Sequence, residues 1–543
     1  MKRRDIWTPV LIAAWAIVLG LLVWPLGKIL LSSFVVDGEY TFANYRLIFS
    51  EPRFLNTIGN TFLVGFGGMI GALILGVGLA FVVSRFEIRG RTAIEVLALI
   101  AMVSPPFIGA YSWIVLFGAN GLVRTSLASI GIDIPPIYGT PGVIMVFALK
   151  FFPQVFLITS GAFAAVSRSL EEAAESLGVS PTRRLFTITL PLIMPAITAS
   201  GLLAFVMSIA DFGTPQIIGR GLQVLATQAY ILYSADLGSN QGLASAISLI
   251  LVGISMVFVL LQRWMMRRDI YHNSGMKRAE RRPIAGLKSA YLHLAAYGLV
   301  LLGSIPTITV IYYSFRRTRG PVFQDGFGLQ SYERVLQRLS DPIVNTLIYS
   351  AIAVVAIVVV GTLLGYLITR RRSLATGALD GILTVPYVVP GVVMGIAYAA
   401  AFNVAPLVLT GTGAIIILAI FIRRLPYTVS SVGAALRQIS PNLEQAAMSL
   451  GVPPGRAFLK VTAPLLIPGI VAGAMMSLVT AMNELSSSLV LYIGRTITMP
   501  VRIYIAVIDG EYGIAAALST ILLAMTIVAI LAMSYAAKRQ YKS

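Results

Sequence analysis

Residues 171–178 read Glu171-Glu172-Ala173-Ala174-Glu175-Ser176-Leu177-Gly178, and after nine intervening residues come Ile188-Thr189-Leu190-Pro191. Residues 444–451 read Glu444-Gln445-Ala446-Ala447-Met448-Ser449-Leu450-Gly451, followed at the same interval by Val461-Thr462-Ala463-Pro464. Each copy predicts a short helix stopped by glycine, a turn at Ser180-Pro181 or Pro453-Pro454, and a second short amphipathic helix. A proline then opens the next long helix. The two copies, 273 residues apart, belong to a repeat that runs along the chain. At the same shift Lys150 matches Arg423, Pro153 matches Pro426 and Asp211 matches Glu484. Further upstream the shift is 285: Asn60-Thr61 matches Asn345-Thr346, Glu95 matches Asp380 and Pro105 matches Pro390. The change in shift places a longer connection around 119–141 in the first half.

What lies between these motifs is apolar. The chain has 543 residues, 57% hydrophobic and 12% charged, with mean hydropathy +0.85. An average soluble domain is about a quarter charged, so too few charges are present to coat soluble domains of this total size. Disorder, nucleic-acid binding and most soluble enzyme chemistry are excluded as the main activity. A helical span needs about 20 apolar residues. Twelve are expected: 8–33, 60–84, 94–118, 142–165, 192–215, 243–262, 290–315, 346–369, 380–403, 413–434, 465–488 and 512–536. Transmembrane strands would instead give short alternating segments. The expected fold is an all-α membrane protein, with about 12 transmembrane helices in two six-helix repeats. With an even number of spans per half, both repeats sit the same way up. The repeats are assigned to 1–265 and 289–543, joined by a basic linker at 266–288. There is no cysteine and there are only two histidines, His272 and His293, so thiolate and histidine metal sites are not expected.

The formal charge of +19 has a location. With the N-terminus in the cytoplasm, about two-thirds of the basic residues fall on the cytoplasmic side, as the positive-inside rule requires. Both termini are therefore expected in the cytoplasm, and the surplus faces anionic lipid rather than nucleic acid. The outer loop 316–344 runs against the rule.

The paired segment quoted first, E-A-A-x-x-x-G followed by I-x-L-P, resembles the coupling loop of binding-protein-dependent ABC importer permeases. Two copies in one polypeptide resemble the fused permeases of the ferric-ion type. Ser104-Pro105-Pro106-Phe107, Asp211-Phe212-Gly213-Thr214-Pro215, Arg423-Arg424-Leu425-Pro426-Tyr427 and Asn483-Glu484-Leu485-Ser486-Ser487 fit the same group. The resemblance implies the importer-permease fold and a bacterial inner-membrane location. It further implies two copies of an ABC ATPase docked on the cytoplasmic loops and an extracytoplasmic substrate-binding protein. The coupling positions implied are Glu171, Glu172, Ala173, Ala174 and Gly178, with Glu444, Ala446, Ala447 and Gly451. The second copy departs from the motif at Gln445, Val461 and Ala463. A bland reading of Glu171, Glu172 and Glu444, complementing a helix N-terminus, is compatible with this one. No G-x-x-x-x-G-K-[ST] loop occurs in the chain. Nucleotide hydrolysis of that kind needs one, so the chain is not expected to be an enzyme or to bind a cofactor. ATP and Mg belong to the partner ATPase.

Ionisable residues inside spans are costly and read first as functional. Asp211 and Glu484 have two readings: an acidic pair attractive to a cation, or carboxylates capping a broken helix near Gly213 and Pro215. Hard trivalent iron favours oxygen donors, by extension of ligand hardness, so these two are the transient metal contacts expected, with no resident metal site. Lys150 and Arg423, with Arg424 beside it, either counter-charge the acids in an internal ion pair or receive an anionic chelate. Asn483 and Tyr111 complete the expected pathway residues, with Tyr387 a further hydroxyl donor. Glu95 and Asp380 complement helix N-termini. The leading expectation is a permease that forms the translocation pathway for ferric iron. Thiamine, phosphonate or sugar phosphate are the alternative cargoes, and an ion-gradient-driven transporter is the alternative class. The stretch Arg85–Arg91 lacks the leading glycine and D-R order that the latter class carries.

Overall fold

The computed structural model describes residues 6–103, 106–166, 168–235, 240–267, 283–320, 322–405 and 407–540. Among the described residues nine helices are long and apolar enough to cross a membrane, and two sharply bent helix pairs bring the number to eleven. The remaining expected span, 94–118, is present as two shorter helices, Arg91–Val103 and Pro106–Phe117. Ser104 and Pro105 between them lie outside the described residues, as does 268–282 of the linker. The count of twelve is thus approximate, and the helical class is as expected.

Most spans extend a few residues beyond their apolar windows: Pro52–Arg85, Thr140–Ala165, Ser340–Arg370, Gly413–Gln438. Hydropathy did not reveal the bends. The span expected at 380–403 is Leu374–Val388 and Gly391–Ala401, meeting at 111°. Pro390 sits in the bend and disfavours helix at the residue before it; Val389 is extended, with φ −72° and ψ 118°. The span expected at 465–488 is preceded by a 71° bend between Pro454–Leu465 and Ile467–Met482. It also stops short, at Met482, just before Glu484.

Two compact units are formed. One contains residues 1–45, 229–249 and 314–543, the other 46–228 and 250–313. The units cut across the sequence repeats, because the first span of each half packs with the other half. In the first unit, Trp7–Ser32 lies against Gly391–Ala401, and the Tyr398 hydroxyl donates to Leu21 O at 2.7 Å. In the second unit, Gly286–Ser314 packs on the first repeat. There Ser112 Oγ donates to Pro306 O at 2.8 Å, and the Tyr297 hydroxyl donates to Arg89 O at 2.8 Å.

Close helix approach is set by small residues, as expected where lipid supplies no hydrophobic drive between helices. A Cβ on Gly76 would lie 2.7 Å from Phe152 O and from Val155. At the repeat-related Gly361 it would meet Thr428 at 3.0 Å, and Val155 and Thr428 are themselves 273 residues apart. Gly76→Leu is expected to cost about 1–3 kcal/mol by overpacking. Thermal unfolding of the detergent-purified permease measures this. Gly59→Leu on the same helix, where nothing lies within 4 Å, is the control.

The repeat also extends to a feature outside the spans. Val35–Val36 pairs with Glu39–Tyr40, and Arg316–Arg319 pairs with Val322–Phe327. Each hairpin is clasped by a tyrosine: Tyr45 Oη donates to Ser33 Oγ at 2.9 Å, and Tyr332 and Ser314 bond at 2.7 Å. Phe34–Tyr45 and Phe315–Tyr332 ring centroids are both 5.3 Å apart. These short strands are additions to the all-α expectation.

Candidate functional site

The charged residues of the spans meet at helix breaks. Helix Leu190–Ala210 ends at Asp211, whose backbone is extended, and Gly213–Ile218 follows. Asp211 Oδ1 accepts the Thr214 N–H at 2.8 Å, which caps the short helix, while Oδ2 pairs with Lys150 Nζ. In the second half, Ile467–Met482 is followed by Ser486–Leu491. Glu484 Oε1 accepts the Ser487 N–H at 3.1 Å and the Ser487 hydroxyl at 2.9 Å. Thr214 and Ser487 are again 273 residues apart. Arg423 and Arg424 both pair with Glu484. Of the two readings open in the sequence, the capped, ion-paired carboxylate is what the structure contains. Lys150 with Asp211, and Arg423 with Glu484, are brought together as repeat-related pairs.

Asn483 holds the last turn of its helix, donating Nδ2 to Val479 O at 2.8 Å. Tyr111 is buried at 1% exposure within Pro106–Phe117. Tyr387 is 42% exposed and packs edge-on against Tyr427 at 5.2 Å. No group of three or more His, Cys, Asp or Glu side chains that could hold a metal ion occurs among the described residues.

The two segments quoted at the outset fold as matching hairpins. Arg168–Ser176 and Pro441–Ser449 are the first helices. Gly178 and Gly451 stop them with φ +76° and +88°, the left-handed conformation glycine adopts without a Cβ penalty. The Val179 N–H bonds to Ala174 O at 3.0 Å and the Val452 N–H to Ala447 O at 3.1 Å, closing the same C-terminal motif twice. A short helix and a π-helical turn follow, Pro181–Arg184 with Leu185–Thr189 and Pro454–Ala457 with Phe458–Thr462. Each tip carries an exposed leucine, Leu177 at 83% and Leu450 at 86%.

The side chains that tie the hairpins down were not visible in the sequence. Glu172, Ala173 and Ala446 are exposed, Ala447 is half-buried and Ala174 is buried; the Glu171 side chain lies outside the described residues. Glu444, expected on the docking face, is turned inward and 8% exposed. It accepts from the Tyr366 hydroxyl and from Thr462 Oγ1, the latter at 3.0 Å. Around it Trp7, Tyr366 and Phe458 form an aromatic group with centroids 4.5, 5.4 and 4.8 Å apart. A carboxylate in such a place needs hydrogen-bond donors, and two hydroxyls supply them. In the first hairpin Arg184 pairs with Glu175 at 2.7 Å; Ala457 and Met448 hold those positions in the second. Tyr366→Phe keeps the ring and deletes one bond to a charged group, an expected loss of about 1.5–3 kcal/mol. Thermal unfolding, together with the ratio of ATP hydrolysed to solute moved, checks this.

Residues 52–269 and 357–540 match the family described as binding-protein-dependent transport system inner membrane component. The chain belongs to this family. It is 31% identical over 531 residues to the ferric transport system permease protein FbpB of Actinobacillus pleuropneumoniae, covering 94% of this chain and 75% of that one. It is 29% identical to the putative ferric transport system permease protein FbpB 1 of Haemophilus influenzae, covering 89% and 77%. A putative 2-aminoethylphosphonate transport system permease protein of Salmonella typhi is 27% identical over 246 residues, 44% of this chain and 84% of its own. The chain is thus a multi-pass inner-membrane permease of an ABC importer, and the gradient-driven alternative is set aside.

Proposed function

We propose that this permease carries ferric iron inward. The observation that carries the reading is the whole-length similarity to permeases named for ferric transport. An extracytoplasmic binding protein delivers the cargo, and both chain termini lie in the cytoplasm. Two ATPase subunits, which hold ATP and Mg, dock on the hairpin segments 168–191 and 437–464. The paired exposed leucines support that docking, because a helix with an exposed apolar tip suits a groove on a partner. Closure of the ATPases pushes on the spans through these hairpins. Glu172, Ala173, Ala446 and the two glycines shape the docking face, and Glu444 anchors the second hairpin from inside. The ion pairs at Asp211 and Glu484 hold the broken helices that border the route.

The test is reconstitution in proteoliposomes with the cognate ATPase and binding protein. ATP-dependent accumulation of radiolabelled iron is the expected result. No iron uptake, alongside ATP-dependent uptake of thiamine, a phosphonate or a sugar phosphate, would replace the cargo and keep the importer. Uptake that needs no ATPase would remove the importer reading itself.

A further inference from the structure

We propose that Arg423 and Arg424 form an oxyanion-binding site within the membrane, and that iron crosses as a complex with an oxygen-rich anion rather than as a bare cation. The iron part rests on the ferric reading above; the anion site stands on geometry alone.

The first half of the chain is an internal control. There one cation meets one carboxylate, Lys150 with Asp211, and that suffices to hold the helix break. The residue at the Arg424 position is Phe151. In the second half two guanidinium groups converge on one carboxylate, which leaves a surplus positive charge. The three side chains are only 12%, 16% and 2% exposed. The fold does not need the second arginine, since the repeat-related break does without it. An uncompensated cation in a span is costly and marks a function.

Donor accounting points the same way. Each guanidinium carries five N–H donors, and a carboxylate offers about four lone-pair sites. Glu484 spends part of its capacity on the Ser487 N–H and hydroxyl. The Tyr427 side chain is a further hydrogen-bond partner of Arg424, but the buried Nε atoms of Arg423 and Arg424 have no hydrogen-bond partner among the described residues. A planar fork of donors matches carboxylate and phosphate oxygens. The same surplus charge repels a bare trivalent cation. Asp211 and Glu484, moreover, are already engaged by cations and backbone or hydroxyl donors. A ferric ion wrapped in anionic oxygen ligands meets no such barrier, and its ligand supplies the missing acceptors.

The shared chemistry is an oxyanion; its source is either a ligand on iron or a free anionic solute. The purified permease–ATPase complex in nanodiscs is titrated with radiolabelled citrate and with inorganic phosphate. Salt-sensitive binding is expected, falling at least tenfold in Arg424→Phe, which copies the first half. Arg424→Lys keeps the charge without the fork, and is expected to retain binding between those limits. Absent binding, or equal binding by wild type and Arg424→Phe, overturns the site. Transport by the wild-type importer needs no variant. Doubly labelled iron and citrate entering together supports the proposal. Citrate or 2-aminoethylphosphonate entering without iron supports the site and overturns the ferric reading. Iron entering with no anion overturns the proposal while the ferric reading stands.

Discussion

Glu484→Ala should destabilise the permease by about 3–5 kcal/mol, the range for breaking a buried pair from one side. Two arginines lose the one carboxylate they pair with among the described residues, and the Ser487 N–H and hydroxyl lose their acceptor. Asp211→Ala should cost less. It orphans the Thr214 N–H and a single lysine that is 20% exposed, and a lysine can swing its flexible stem toward water. Thermal unfolding in detergent separates the two. The triple change Arg423→Met, Arg424→Met and Glu484→Gln should recover most of the loss, because no uncompensated charge remains. If Glu484→Ala unfolds at the wild-type temperature, the buried ion pairs do not hold the break.

Replacing both hairpin leucines by aspartate, Leu177→Asp with Leu450→Asp, should abolish ATPase docking without harming the fold. Both side chains are more than four-fifths exposed, and surface changes of this kind usually alter stability by no more than about 0.5 kcal/mol. Burying a leucine against a partner contributes about 1.5–3 kcal/mol. Losing two such contacts lowers affinity by about 100-fold or more. Tag-based co-purification reads the outcome directly. ATPase that still accompanies the double variant would show that the tips are not the contact. Each single variant reports whether the two hairpins carry equal shares.

Much of the fold was legible because membrane partition and local turn chemistry add up residue by residue. Apolar windows found where the spans lie but not their breaks and bends, and E-A-A-x-x-x-G with its proline predicted both hairpins. Glycine at 178 and 451 marked their stops for a stated reason, the left-handed turn. The site was half legible. Intramembrane charge singled out Lys150, Asp211, Arg423 and Glu484, but the pairing between them spans some 60 residues of sequence. Glu444 was misplaced on the docking face because its motif position says nothing about which way the helix turns. Its partner Tyr366 is 78 residues away.

The sequence by itself determined that this is a helical membrane protein built twice, with two matching hairpins and a few costly interior charges. Those properties follow from composition, periodicity and repetition, all of which are local or self-comparing. Only the tertiary structure decided that the first span of each half packs with the other half. It alone showed that Pro390 turns one span through 111°, and that two arginines share one carboxylate where the first half uses a single lysine. Such choices depend on which helix faces lie together, and the energy of burying a charge depends on the neighbours that packing supplies.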